Sequence, residues 1–172
     1  MTEFQLEKCL VRCWRSDDLD SLVRSANNPN VSRGLMARFP YPYTPADGEE
    51  WIRRATSDDP TTHFAICVDG SAVGGMGFHP RSDVARRTAE IGYWLGEPHW
   101  GRGIATEALR AVTEHAFRSR DLIRLQAHVF DWNTASARVL EKAGYTLEAR
   151  LRKSVTKEGQ TIDSFLYALV RE

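Results

Sequence analysis

The sequence has little cysteine, no net charge and no long apolar run. Its three cysteines, Cys9, Cys13 and Cys67, are odd in number and lack a CxxC spacing, which argues against a disulfide framework and against a cysteine zinc cage. The five histidines, His63, His79, His99, His115 and His128, form neither HxxxH nor HExxH, and Cys67 has no evident partner, so no metal and no thiol nucleophile is expected. Lys plus Arg and Asp plus Glu number 23 each, leaving no overall field to draw the molecule to nucleic acid or to anionic lipid. Apolar runs such as Phe64–Val68 fall far short of the roughly 20 residues a membrane span needs. The opening Met1-Thr2-Glu3-Phe4-Gln5 has neither the basic start nor the apolar stretch of a signal peptide. These absences predict a cytoplasmic protein with no membrane or nucleic-acid partner.

What is present is enough for one core. At 172 residues the chain fits a single domain that buries about two thirds of its unfolded surface. No repeat, low-complexity tract or Ser/Gly linker divides it, so residues 1–172 are read as one unit. The pattern predicts a strand over Gln5–Trp14, with Cys9, Val11 and Cys13 alternating on one face, then a helix capped by Ser16 that carries Leu19, Leu22, Val23 and Ala26. Asn27-Asn28-Pro29-Asn30 ends that helix. Phe39-Pro40-Tyr41-Pro42-Tyr43 is too proline-rich for a ladder, and Thr44-Pro45-Ala46-Asp47 combines an N-cap threonine, a proline at the first helical position and an acid three residues on, so a second helix runs to about Thr56.

Strands are expected at Thr61–Val68 and Ala72–His79, joined at Asp69-Gly70, and at Thr88–Leu95. A helix starting within Gly101–Ala105 buries Ala105, Ala108, Leu109, Val112 and Ala116 while Glu107, Arg110, Glu114 and Arg118 face away. A strand over Ile123–Phe130, a helix over Thr134–Lys142 stopped by Gly144, and two strands, Tyr145–Val155 and Thr161–Val170, hinged at Glu158-Gly159, complete the chain. The total is about seven strands and four helices, a mixed α/β layer.

The most informative stretch is Glu90-Ile91-Gly92-Tyr93-Trp94-Leu95 followed by Trp100-Gly101-Arg102-Gly103-Ile104-Ala105-Thr106-Glu107. A strand enters a turn with small residues at alternate positions, and the turn opens an amphipathic helix. Small residues let a ligand approach the backbone, and free amides at a helix start attract anions, so this segment reads as a phosphate cradle. By itself the pattern also suits a tight turn without a ligand. Thr106 stands where a dinucleotide fingerprint needs its third glycine, and no GK[ST] string exists, so neither a Rossmann motif nor a nucleotide P-loop fits.

Together with Asp131-Trp132-Asn133-Thr134-Ala135-Ser136 and Val139-Leu140-Glu141-Lys142-Ala143-Gly144-Tyr145, these residues resemble the GCN5-related N-acetyltransferases (GNAT), and within them the RimJ/RimL branch that acetylates ribosomal-protein N-termini. Four segments recur in that branch in this order: Phe39–Thr44, Glu90–Leu95, Trp100–Ala108 and Asn133–Ser136. Trp100 replaces the Gln or Arg that begins the wider family's glycine motif, a change the branch shares. Leu140 stands where the wider family often has a tyrosine general acid, which turns attention to Ser136.

The resemblance implies a single GNAT domain that transfers acetyl from acetyl-CoA to a primary amine by direct attack, without a metal. Cofactor contacts are then expected from Tyr93, Trp94 and Leu95 along the pantetheine arm, from Trp100, Gly101, Arg102, Gly103, Ile104, Ala105 and Thr106 around the pyrophosphate, and from Asn133 and Ser136. Ser136 would hydrogen-bond the departing thiolate. Without the resemblance, Asn133 is a helix N-cap and Ser136 an ordinary third helical residue.

Glu90 shares a strand face with Gly92 and Trp94, and the glycine leaves room beside the carboxylate for a water-linked base. The competing reading is an ion pair with Arg86 or Arg87. Phe39, Tyr41 and Tyr43 would border the acceptor cleft, or serve as a hydrophobic staple for the helix that follows. Asp17, Asp18 and Asp20 read as helix N-terminal charge and not as a polyamine site. The acceptor is expected to be a protein or peptide N-terminal α-amine or a small amine; an amino acid, a polyamine, an aminoglycoside, and a non-catalytic acyl-CoA-binding module are the alternatives. Self-association, including a homodimer, stays open.

Overall fold

The computed structural model describes residues 2–57 and 61–171. Eight strands form one sheet: β1 (Glu3–Gln5), β2 (Leu10–Cys13), β3 (His63–Val68), β4 (Ser71–Pro80), β5 (Thr88–Leu95), β6 (Arg124–Phe130), β7 (Thr146–Lys157) and β8 (Gln160–Val170). Five helices accompany them: α1 (Leu19–Ala26), α2 (Pro29–Arg33), α3 (Pro45–Ala55), α4 (Ile104–Ser119) and α5 (Thr134–Lys142). The sheet order is β1-β2-β3-β4-β5-β6-β8-β7, and every neighbouring pair is antiparallel except β5 and β6.

Local chemistry explains most of the boundaries. Asp69 and Gly70 take φ of 50° and 80°, the left-handed pair that a two-residue hairpin between β3 and β4 requires. Thr44 Oγ1 accepts from Asp47 N while Asp47 Oδ2 accepts from Thr44 N, a reciprocal box that starts α3 behind Pro45. Asn133 Oδ1 accepts from Ser136 N to cap α5, and Gly144, at φ 95°, releases the chain into β7.

Three expectations need correction and a fourth is extended. The single strand over Gln5–Trp14 is two short antiparallel strands, because Leu6 N donates to Cys9 O and turns the chain back between them. Ser16 does not cap α1: a turn of 3-10 helix, Ser16–Asp18, precedes it, with no side-chain cap at either start. Asn27-Asn28-Pro29-Asn30 not only ends α1 but opens α2, since Asn28 Oδ1 accepts from Asn30 N with Pro29 at the first helical position. These differences raise the count to eight strands and five helices.

The fourth adds to the reading of Asp18, which stands at a helix N-terminus as expected but is not exposed there. It is buried and clasps buried Arg12 through two bonds of 2.7 and 2.8 Å, and it also accepts from Arg15 N. Charges out of water are tolerated in such fork-to-fork geometry because each lone pair finds a donor.

The sheet is buried on both faces by alternation. Phe64 and Ile66 of β3 join α4 and α5 through Ile104, Leu109, Val112 and Leu140, whereas Ala65 and Cys67 face α1 and α3 through Leu22, Ala26, Ile52 and Ala55. Cys9 and Val11 lie in the first of these cores, and burial raises the Cys9 and Cys67 thiols to about 11, so both behave as small apolar groups. No helix among the described residues is long and apolar enough to cross a membrane.

A half-buried histidine packs against the first core. His115 of α4 lies against Phe4, Phe64 and Phe78, with ring centroids 5.4, 5.5 and 6.3 Å away. Burial, assisted by the charge of Arg120, holds its pKa below the ordinary histidine value. The fold therefore prefers the neutral ring, and its contribution is present above about pH 6.5 and is lost as pH falls further. Melting temperature followed from pH 7.5 to 5 should fall on the acid side, and the slope of that fall should flatten in His115→Gln.

Candidate functional site

The site begins where a ladder stops. β5 and β6 pair only at Thr88↔Arg124, Ala89↔Leu125 and Glu90↔Gln126. Beyond Glu90, β5 continues against β4 as far as Leu95, and β6 continues against β8 as far as Phe130. The two halves of the sheet thus part, and a gap opens between neighbouring strands. The bonds Arg81 N to Thr88 O and Gly96 N to Val73 O fix the phase of the β4–β5 ladder, so even-numbered residues of β5 bond to β4 and odd-numbered ones turn their main-chain groups the other way. Tyr93 and Leu95 therefore present backbone groups to the gap. Trp100 Nε1 donates to Leu95 O at 2.7 Å, which takes up one of them.

The glycine turn closes one end of this gap. Gly101 and Gly103 adopt φ of 70° and 78°, a conformation that costs any residue with a Cβ about 1–2 kcal/mol. Space around the position of a Gly101 Cβ is open to 4 Å, and Gly103 immediately precedes α4. The first i to i−4 bond of that helix runs from Glu107 N to Gly103 O, so the amides of Ile104, Ala105 and Thr106 lie ahead of it at the positive end of the dipole. Arg102 meets His99 at 3.3 Å.

A residue not singled out in the sequence joins them. Glu107 accepts the main-chain N–H groups of Glu7 and Lys8 at 3.0 and 2.9 Å, which docks the β1–β2 turn on α4 and brings Lys8 Nζ to 2.8 Å from where a Gly103 Cβ would stand. Glu107 is accordingly a docking residue and not a bystander on the outer face. The cluster is cationic and rich in amides, and suits an anionic ligand without a metal.

The two faces of the gap differ. On the α4/α5 side Tyr93 Oη lies 2.8 Å from Ser136 Oγ and 3.1 Å from Ser136 O. Burial pushes the Tyr93 hydroxyl well above the usual tyrosine range, with the Ser136 bond acting in the opposite sense, so it remains a neutral proton donor. Leu140 is fully buried in the core and offers no polar group. Asn133 Nδ2 stands 2.7 Å from a Gly34 Cβ position, so α5 starts in contact with the loop after α2.

On the opposite face, Glu90, Gly92 and Trp94 follow one another, and nothing lies within 4 Å of a Gly92 Cβ, which leaves the expected space beside the carboxylate. Glu90 does not pair with Arg86 or Arg87: Arg87 bonds Asp121 at 2.9 Å, while Glu90 Oε1 accepts from Gln126 Nε2 at 3.2 Å and lies 3.9 Å from His128 Nε2. Trp94 packs on Phe39 with centroids 5.5 Å apart, and Phe39 packs on Tyr43 at 5.2 Å. Tyr43 is buried in the second core and supports the segment from beneath, whereas Tyr41 is half exposed beside it. Of the three aromatic residues, then, Tyr41 presents the free surface.

The structure thus sets residues 90–95 and 100–106 along one strand and the turn that follows it and joins Ser136 to them through Tyr93, while Asn133 caps α5 and meets the loop after α2. Lys8, Gln126, His128 and the Tyr93 hydroxyl enter from the fold. Gly103→Ala should lower unfolding free energy by about 1–2 kcal/mol in chemical denaturation, because the left-handed turn is required there. A loss below about 0.3 kcal/mol would show that the turn relaxes freely.

Comparisons with known proteins agree with this geometry. The family model described as acetyltransferase (GNAT) domain matches residues 8–146. The chain is 37% identical over 168 residues to the N-acetyltransferase YoaA of Bacillus subtilis, itself uncharacterised, covering 95% of this chain and 87% of that protein. It is 34% identical over 107 residues to the ribosomal-protein-serine acetyltransferase of Escherichia coli, covering 62% and 59%. The fold superposes with a TM-score of 0.86 on RimL, the ribosomal L7/L12 α-N-protein acetyltransferase solved with coenzyme A, at 20% identity and 98% coverage of both chains.

Proposed function

The chain belongs to the GNAT acetyltransferase family, and from that premise we propose that residues 1–172 form one N-acetyltransferase domain that delivers the acetyl group of acetyl-CoA to a primary amine, with a protein N-terminal α-amine as the favoured acceptor. The observation that carries the reading is the parting of β5 from β6 beside a glycine turn that opens α4. The likeness to ribosomal-protein acetyltransferases supports the choice of acceptor.

The residues fit the cofactor. When bound, acetyl-CoA supplies the activated acetyl thioester. Amides of Arg102, Gly103, Ile104, Ala105 and Thr106 would hold its pyrophosphate, and Lys8 adds a cation above the turn. The main-chain groups of Tyr93 and Leu95 would pair with the amides of the pantetheine arm as an added strand does, and their N–H donors would polarise a carbonyl in the gap. Trp94 and Trp100 brace this edge, through Phe39 and the Leu95 carbonyl respectively. Asn133 orients α5, so that Ser136 faces Tyr93.

Proton handling divides between the two faces. Tyr93 has one hydroxyl hydrogen: while it is given to Ser136 O, the serine hydroxyl donates to Tyr93 Oη, and when it turns to Ser136 Oγ the serine hydrogen is freed to meet a departing thiolate in the gap. Glu90, on the acceptor face, would take or orient the amine proton, directly or through water in the space beside Gly92. An α-amine has a pKa near 7.7–8.0, so losing its proton at neutral pH costs only about 1 kcal/mol, and a half-exposed carboxylate suffices. Phe39 and Tyr41 would border the acceptor, with Tyr43 beneath them. A polyamine acceptor is disfavoured, since Asp18, the centre of the acidic cluster, is spent on Arg12.

The test is release of free CoA from acetyl-CoA against N-terminal peptides and small amines. Release should depend on the amine, and Ser136→Ala should lower kcat about tenfold while the KM for acetyl-CoA stays within about threefold. Binding of acetyl-CoA with no release across the panel would favour a non-catalytic acyl-CoA sensor.

A further inference from the structure

Gln126 lies beside Glu90 on β6, on the strand face it shares with Arg124 and His128, and is itself buried. A buried amide is not there for solubility, and its two ends are not interchangeable. Arg124 Nε donates to Gln126 Oε1 at 3.0 Å, so the amide oxygen is committed to the arginine and Nε2 must point the other way, where it donates to Glu90 Oε1 at 3.2 Å. Arg124 is held in turn by both carboxylate oxygens of Glu148, at 2.9 and 2.6 Å. Glu148 occupies a bulge of β7, between Leu147↔Tyr167 and Ala149↔Leu166, and β8 carries the small Ala168 opposite Gln126. The bulge re-aims the carboxylate so that a β7 side chain reaches Arg124 across β8.

We propose that Glu148, Arg124 and Gln126 form a directional relay whose task is to position Glu90: it fixes one carboxylate oxygen and leaves the second oxygen for the acceptor amine or its water. Gln126 is thus a positioning residue for the reaction. The inference rests on the acceptor-side role given to Glu90 above. Direction comes from the arginine, which cannot accept a hydrogen bond, so the chain of donors runs one way, from Arg124 through the amide to Glu90. Among the described residues, the titratable groups that face Glu90 are His128, at 3.9 Å on β6, and His79, its register partner on β4. Arg124 acts on it through Gln126.

Removing the donor should free the Glu90 carboxylate to turn away from the acceptor while leaving the acetyl-CoA side of the gap untouched. In Gln126→Leu we expect a loss of about tenfold in kcat/KM for the amine at pH 7, carried by kcat, with the KM for acetyl-CoA within about twofold. Gln126→Glu keeps the shape but places a second carboxylate against Glu90, and should lose at least as much. Glu148→Gln, at a partly exposed position two strands away, should lose less, about threefold, and guards against a variant at Gln126 that fails to fold. Glu90→Gln is measured in parallel, and adding Gln126→Leu to it should cost no further activity, because the two residues act as one unit. If Glu90→Gln retains wild-type turnover, both the role of Glu90 and the relay fall. If Glu90→Gln is impaired while folded Gln126 and Glu148 variants keep wild-type kcat/KM for the amine, or if the losses in the double variant multiply, the relay alone is overturned.

Discussion

The parallel pairing of β5 with β6 lasts three residue pairs and then ends, and the rest of the site depends on that ending. Each strand remains anchored on its other side, β5 by β4 through Leu95 and β6 by β8 through Phe130, so the parting does not unravel the sheet. It leaves main-chain groups of Tyr93 and Leu95 unclaimed by a neighbouring strand, and an opening that joins two chemically different faces. Buried backbone groups need partners. A ligand that carries amides is the complement we propose, and the glycine turn that follows β5 would supply the anion-binding part of its site.

The surrounding structure serves to hold this opening. Two cores clamp the sheet from either side, one through α4 and α5 and the other through α1 and α3. The Arg12–Asp18 pair ties β2 to the approach of α1, Glu107 ties the β1–β2 turn to α4, and Glu97 accepts from Asn28 and Asn30, which ties the start of α2 to the turn after β5. The ties made by Glu107 and Glu97 hold α4 and the turn after β5 with groups from distant parts of the chain. The proposed direct transfer, which relies on orientation and oriented dipoles, would require such rigid borders.

Much of this was legible in the sequence where the information is local. Thr44-Pro45-Ala46-Asp47, Asp69-Gly70 and Asn133 marked element boundaries because caps and turns are decided within four residues, and β5 and α5 have the bounds that their patterns predict. The Gly101 and Gly103 turn was legible for the same reason. The 3-10 turn before α1 and the break between β1 and β2 were not, since both depend on where Asp18 and Cys9 are buried. Lys8 meets the glycine turn from almost 100 residues away, and the line from Glu148 to Glu90 crosses β7, β8, β6 and β5, so no window of sequence contains it.

The central claim is that the gap and its glycine turn form an acetyl-CoA site. Calorimetric titration of the purified protein with acetyl-CoA, with NADH as the control nucleotide, tests it most directly. The account predicts saturable one-to-one binding of acetyl-CoA and none of NADH at the same concentrations. Absence of acetyl-CoA binding, or equal binding of NADH, would contradict it.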